Sequence, residues 1–286
     1  MFDLHRDDSS SVADWVEIEL ALDDEIDRIS KATVSTAMEQ GIGAAPSEAF
    51  LSDVWRILER RQNLYRLAPF RVEGNLVMRE EEVPPPETYI ACLLFSLYGV
   101  RRGRSDPKIL ERIAAICIAD YIQGESYVFG WPVLHDVPVP ISNRIQEVAQ
   151  LMRERFIEAP REKYKDRGVD VITWKPFRTE AGGMHRSNQI AILSQCAAGQ
   201  DWRQKYGDVP LKAWEQYIHW ANNPIKGYVV PGIVDSDDDW HDMSTQCGLL
   251  FDRARIYNHS PNPLPDPELA ASITAWIDAE KQEALS

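Results

Sequence analysis

The chain has no apolar run of the roughly 18–20 residues that a membrane-crossing helix requires. Its start, Met1-Phe2-Asp3-Leu4-His5, is acidic and has no apolar core of a secretory signal. The expectation is a cytoplasmic protein that does not engage a membrane. Cysteine is scarce, and Cys92, Cys117, Cys196 and Cys247 are scattered through apolar contexts. That pattern argues for reduced, buried thiols and against a disulfide framework or a zinc site. Walker A, Gly-x-Gly-x-x-Gly and Gly-x-Ser-x-Gly patterns are missing, so P-loop, dinucleotide-binding and nucleophile-elbow readings have no support. No internal repeat or low-complexity tract is visible. Positive charge is short as well. A net charge of −14 argues against a protein that coats nucleic acid by electrostatics alone.

What is present suits a soluble α/β protein. The 286 residues are 44% hydrophobic and 27% charged, enough for one large core or a core with a smaller helical appendage. Charge is uneven along the chain. Residues 1–30 hold ten acidic side chains against Arg6 and Arg28, which reads as a solvated helix packed by Val12, Trp15, Val16, Ile18, Leu20 and Leu22, as an electrostatic mask over Arg161–Arg178, or as a docking surface for a basic partner. Between Arg161 and Arg178, six bases outnumber Glu162, Asp166 and Asp170.

Apolar spacing predicts helices over 11–40 and 46–64, then a short strand pair from Phe70 to Met78 turning at Glu73-Gly74-Asn75. Pro84-Pro85-Pro86 marks a break before a helix over 87–98. Arg101 to Ser105 reads as a polar loop. Asp106-Pro107 reads as a cap and first turn of a helix that stops at Gly124. A loop from Tyr127 to Pro140 and a helix from Ser142 to Phe156 follow. Strands are expected over 168–174 and 189–197, separated by a turn at Gly182-Gly183. A helix over 211–222, a strand over 227–234, a short helix over 240–246, a strand over 248–256 and a final helix over 267–283 complete the order. The expectation is an α/β fold with a mixed sheet: a mainly helical region over 1–100 and an α/β domain over 101–286.

Asp170 stands out. Strand alternation puts it on the face of Ile172 and Trp174, where a carboxylate is costly unless it is paired or holds a cation. Gln195 closes a second run, Gln189 to Ala197, that is too apolar to face water. Glu111 lies on the helix opened by Asp106-Pro107, with Pro107, Lys108, Ala114 and Ala115 as its neighbours on the helix surface. A single helix glutamate is most often solvent-facing.

A helix glutamate, then a strand aspartate in Gly168-Val169-Asp170-Val171-Ile172, then a strand ending in Gln195-Cys196-Ala197 resembles the PD-(D/E)XK nuclease superfamily, in particular its Mrr-like restriction branch. The resemblance spans about residues 105–260 and rests on short motifs. It implies a restriction-endonuclease-like core and magnesium or manganese held by Asp170, Glu111 and Gln195. It also implies hydrolysis of phosphodiester bonds, in double-stranded DNA more than RNA, in defence against foreign DNA. A homodimer or a partner subunit fits the same resemblance. The family's strand lysine is replaced by Ala197, so the cation is expected from Lys205, with Arg203 next; Lys175 points to the opposite face. The missing lysine leaves open a degenerate module that binds nucleic acid or a protein without cutting.

Other groupings have plainer readings. Asp235 to Asp239 with His241 and Asp242 reads as a solvated loop capping the helix at Trp240. His135-Asp136 and His241-Asp242 lack further histidines at helical spacing. Cys196 with His185 suits inert packing better than thiol catalysis. Trp214, Tyr217, His219 and Trp220 read as core before they read as a base-stacking platform.

Overall fold

The structure is a computed structural model that describes residues 8–100, 106–161, 164–177, 186–199, 201–204, 206 and 209–284. In the amino-terminal part, α1 (Ser9–Leu22), α2 (Lys31–Gly41), α3 (Glu48–Leu64) and α4 (Glu87–Tyr98) surround a small antiparallel sheet. Its strands are β1 (Arg28–Ser30), β2 (Phe70–Glu73) and β3 (Leu76–Arg79), in the order β1-β3-β2. The single helix expected over 11–40 is therefore two. Arg28–Ser30 pairs with Leu76–Met78, and Ser30 then caps α2 through a reciprocal bond with Thr33. α1 is buried on nearly all sides, and its acids Asp14, Glu17 and Glu19 are buried with Val12, Trp15, Val16 and Ile18. This helix packs in the core, whereas Asp24, Glu25 and Asp27 beyond it are exposed.

The remainder is α/β. α5 (Pro107–Ile122) is followed by β4 (Glu125–Val128), α6 (Ile141–Leu151), β5 (Arg155–Phe156), β6 (Val171–Lys175) and β7 (Ile190–Cys196). Then come a 3-10 turn (Trp202–Gln204), α7 (Leu211–Tyr217), β8 (Ile218–His219), β9 (Ile225–Val229), α8 (Asp237–Cys247), β10 (Leu249–Phe251), α9 (Arg253–Asn258) and α10 (Pro267–Ala284). Five strands form one mixed sheet in the order β10-β9-β7-β6-β4. β4, β6 and β7 pair antiparallel in succession; β9 runs parallel to β7, and β10 parallel to β9.

Four expected boundaries move for identifiable reasons. The start of the expected Tyr127 loop, Tyr127-Val128, belongs to edge strand β4, whose four residues are all partly exposed and so carry no alternating pattern. The helices expected to reach Phe156 and Asn222 stop at Leu151 and Tyr217, because Arg155–Phe156 pairs with Ile218–His219. The strand expected over 248–256 ends at Phe251, where the Asp252 carboxylate accepts the Arg255 N–H at 3.1 Å and starts α9.

One face of the sheet, with Val171, Ile192, Val229 and Phe251, packs into the large core that also holds α1, α3, α4, α5 and α10. The other face divides between Ile172, Trp174, Ala191 and Leu193 under α6 and α7, and Tyr228, Val230 and Leu250 under α8. At Gly124 the chain passes so close to β6 that a methyl group would collide with the Trp174 carbonyl oxygen. Glycine there lets α5 turn directly into β4. Among the described residues, no helix is long and apolar enough to cross a membrane.

Candidate functional site

Two of the expected residues meet. The Asp106 side chain accepts the Lys108 N–H at 2.9 Å and Pro107 occupies the first turn, which fixes the start of α5 and points Glu111 at the sheet's end. β4 returns antiparallel to β6, and the Phe129 and Gly130 N–H groups both donate to the Asp170 carbonyl, at 2.7 and 2.9 Å. A methyl group on Gly130 would collide with the Glu111 carboxylate and stand 2.8 Å from Asp170 Oδ1. Both acids thus face the same buried point, and only glycine leaves room for them.

Asp170 reaches this point because it breaks the strand's alternation. It lies just before β6 and donates its N–H to the Ser194 carbonyl at 2.8 Å, while the next residue, Val171, is the ladder partner of Ser194. Two successive residues oppose one, the pattern of a β-bulge, and a bulge re-aims its side chain. The carboxylate therefore leaves the face of Ile172 and Trp174 for the side of α5, where Oδ2 accepts the Cys196 N–H at 2.8 Å.

Gln195 does not join them. On β7 it pairs with Tyr228, whose face packs under α8, whereas its neighbour Cys196 pairs with Val229 on the α5 side. Its Oε1 is buried without a hydrogen-bond partner. Ala197 lies on the same far face, in the core under α8. On the α5 face, the β7 positions nearest the acids are Ser194 and Cys196, neither a carboxylate nor a cation.

Among the described residues the cation at the site is Lys108, which the sequence shows only as a helix-surface neighbour of Glu111. Its buried ammonium is ion-paired with Glu111 one turn away. Lys205 lies outside the described residues. Arg203 is exposed, with its guanidinium 4.4 Å from the Trp202 ring, and no described contact carries it to the acids. Lys175 is exposed at the far end of β6.

One lysine is too little positive charge for this cluster. Burial pushes Glu111 up to about 8, with Asp170 adding to the rise and Lys108 opposing it. Burial pushes Asp170 up to about 6 against the lowering effect of the Cys196 N–H, and Asp166 adds to the rise. Two carboxylates that resist ionising together are short of a cation. Burial and the nearby Asp170 raise the Cys196 thiol well above its usual range, so it is no nucleophile, and His185 lies outside the described residues.

The other sequence candidates are structural. Trp214 and Tyr217 are core. Ser236 caps α8, and Asp235 pairs with Arg61 through bonds of 2.9 and 2.7 Å. The wider surface clefts, one beside Phe70, Arg79 and Tyr89 and another along α10 at Trp276, are lined by neither Glu111 nor Asp170. Comparison with protein-family models, curated proteins and solved structures gave no match.

Proposed function

We propose that the protein is a metal-dependent nuclease of variant PD-(D/E)XK type, acting on DNA in defence against foreign nucleic acid in the cytoplasm. The observation that carries this reading is the convergence of Glu111 and Asp170 on Gly130 beside a buried Lys108. The chain order supports it: a helix bearing the glutamate, three antiparallel strands with the aspartate before the second, then a strand parallel to the third.

The residues present fit magnesium or manganese. Magnesium takes one or two protein carboxylates, keeps several waters and completes its shell with substrate phosphate, so a third protein ligand such as Gln195 is not required. The raised Glu111 and Asp170 are the hard-oxygen donors such an ion would meet. When bound, the ion supplies the positive charge that polarises a phosphoryl group and acidifies an attacking water. Asp170, held by the Cys196 N–H, sets the position. Glu111 closes the site from α5, and Lys108 offsets charge developing on phosphate once it exchanges Glu111 for substrate.

A second reading, a non-catalytic module that binds nucleic acid or a protein, draws on one observation. Ser194 and Cys196 stand on the α5 face where the family carries an acid or amide and a lysine. Incubating the full chain with plasmid DNA and with RNA, with magnesium and with EDTA, separates the two. The nuclease reading expects cleavage that EDTA stops and that both Asp170→Asn and Lys108→Met lose while remaining folded. Binding without cleavage under every metal condition selects the module.

A further inference from the structure

Immediately after Gly130 the chain carries Trp131, whose indole is 40% exposed. The two bonds from Phe129 and Gly130 to the Asp170 carbonyl fix the backbone just before it, at the point where the two carboxylates meet. The exposed Lys165 holds its ammonium 4.5 Å from the Trp131 ring centroid. Below lies Arg144 of α6, fully buried, with its guanidinium 4.7 Å from the Phe129 ring and 6.0 Å from that of Trp131. Arg144 donates to the Lys165 carbonyl, but its Nε and Nη1 are buried with no hydrogen-bond partner.

These features do not explain one another within the fold. A buried guanidinium with two unused donors is an under-compensated cation, and a nearby anion would offset it. A large exposed aromatic beside an exposed ammonium has the composition of a nucleic-acid contact: a base stacks on the ring, a phosphate meets the Lys165 charge, and Arg144 adds positive potential from below. The patch is also joined to the acids electrostatically, since Asp166 acts on Arg144, Glu111 and Asp170 alike. A chain of net charge −14 that keeps local positive charge beside its carboxylate pair is equipped to draw a polyanion to that one place.

We propose that Trp131 and Lys165, backed by the buried Arg144, form a seat for one unpaired nucleotide next to the Glu111–Asp170 pair, so that the substrate is a single strand or a locally opened duplex. This rests on the nuclease reading and narrows it. A continuous duplex covers both faces of every internal base, leaving Trp131 nothing to stack on. An unpaired base offers its face to the indole while its phosphate takes the Lys165 ammonium, which is free to leave the ring.

The test uses the full chain in EDTA, so that binding is read apart from cleavage. Fluorescence anisotropy compares three labelled DNAs of one sequence: a single strand, a fully paired duplex and a duplex with a short unpaired gap. The single strand and the gapped duplex should bind about tenfold or more tightly than the paired duplex. Trp131→Ala should erase roughly tenfold of that preference, as expected for one base–aromatic stack, while Trp131→Phe keeps most of it. Lys165→Gln should weaken all three DNAs similarly and reduce the salt dependence by about one released ion. Equal affinities unchanged in Trp131→Ala, with magnesium-dependent cutting intact, would overturn the seat and leave the nuclease standing. Tighter binding to the paired duplex would do the same. If nucleic acid is neither bound nor cut, the nuclease reading fails and the seat with it, and Trp131 becomes a surface for a protein partner.

Discussion

Two groups of buried acidic side chains contrast, and only in one of them do arginines hold an acid ionised. In the helical region, Asp14 and Glu17 of α1 lie between Arg61 of α3 and Arg253 of α9. Arg61 Nη1 stands 2.7 Å from Asp14 and 2.8 Å from Glu17, and Arg253 Nη2 stands 2.6 and 3.1 Å from the same oxygens. Tyr65 donates to Glu17 at 2.9 Å, and Tyr89 does so at 2.5 Å. Although burial raises Asp14, Arg253 and then Arg61 draw it down to about 2. At the sheet's end, Glu111 and Asp170 share one lysine and rise to about 8 and about 6. Equal burial thus has opposite electrostatic outcomes. In the first cluster each of two guanidiniums bonds both acids, with Arg61 also holding Asp235, and the result is a finished joint between helices; in the second a single ammonium pairs with Glu111 and leaves both acids raised, as at a site for a metal ion.

The largest expected effect tests the finished joint. Arg253→Met leaves Asp14 and Glu17 buried with one arginine, which should cost about 3–5 kcal/mol, the usual penalty for removing one partner of a buried pair. Urea unfolding reads this directly. A loss below about 1 kcal/mol would mean that the network is solvated and the contrast false.

Next comes the unfinished site. Asp170→Asn should lower magnesium-dependent cleavage about a thousandfold, or roughly 4 kcal/mol of transition-state stabilisation. The same variant should unfold at no lower urea concentration than wild type at pH 8, because an under-compensated carboxylate has been removed. Full activity in the folded variant would detach the chemistry from this pair.

The pH dependence of stability should run in opposite directions at the two clusters. Glu111 moves from an ordinary 4.5 to about 8 on folding, so its contribution is full below about 4.5 and fades as pH rises through 8. Asp170, moved from 3.8 to about 6, adds to that decline. Asp14, moved from 3.8 to about 2, contributes above 3.8 and loses its contribution as pH falls through 2. In EDTA the melting temperature should therefore drop between pH 5 and pH 8, and Glu111→Gln should remove much of the drop. Asp14→Asn should instead lower the melting temperature at neutral pH. A flat profile above pH 5 in the wild type would remove the asymmetry between the clusters.

Gln195 offers the smallest effect. Its Oε1 has no partner and its strand position faces α8, so Gln195→Ala should change stability by no more than about 1 kcal/mol and cleavage hardly at all. A loss of activity as large as that of Asp170→Asn would return Gln195 to the site.

Local signals in the sequence were enough for the cap and proline that begin α5, for its stop at Gly124, and for β6 and β7 as apolar runs. Each of these depends on neighbours within a few residues, where propensity and alternation act. β4 escaped because a half-exposed edge strand carries no apolar period. The acids of residues 1–30 read as solvated charge because Arg61 and Arg253, which bury Asp14 and Glu17, lie 44 or more residues away along the chain. Lys108, by spacing only a helix-surface neighbour of Glu111, is buried in the fold and ion-paired with it.

The sequence alone determined a mixed α/β protein, the positions of most helices and one strand acid, Asp170, that is costly among apolar neighbours. Tertiary structure decided what that acid and Glu111 do together. Asp170 changed faces because Ser194 on another strand accepts its N–H and creates a bulge. Gln195 was carried away by its pairing with Tyr228, and Gly130 became the meeting point because two chain segments cross there. Which face a side chain takes at the end of a strand depends on the register of its neighbours, and no run of adjacent residues contains that information.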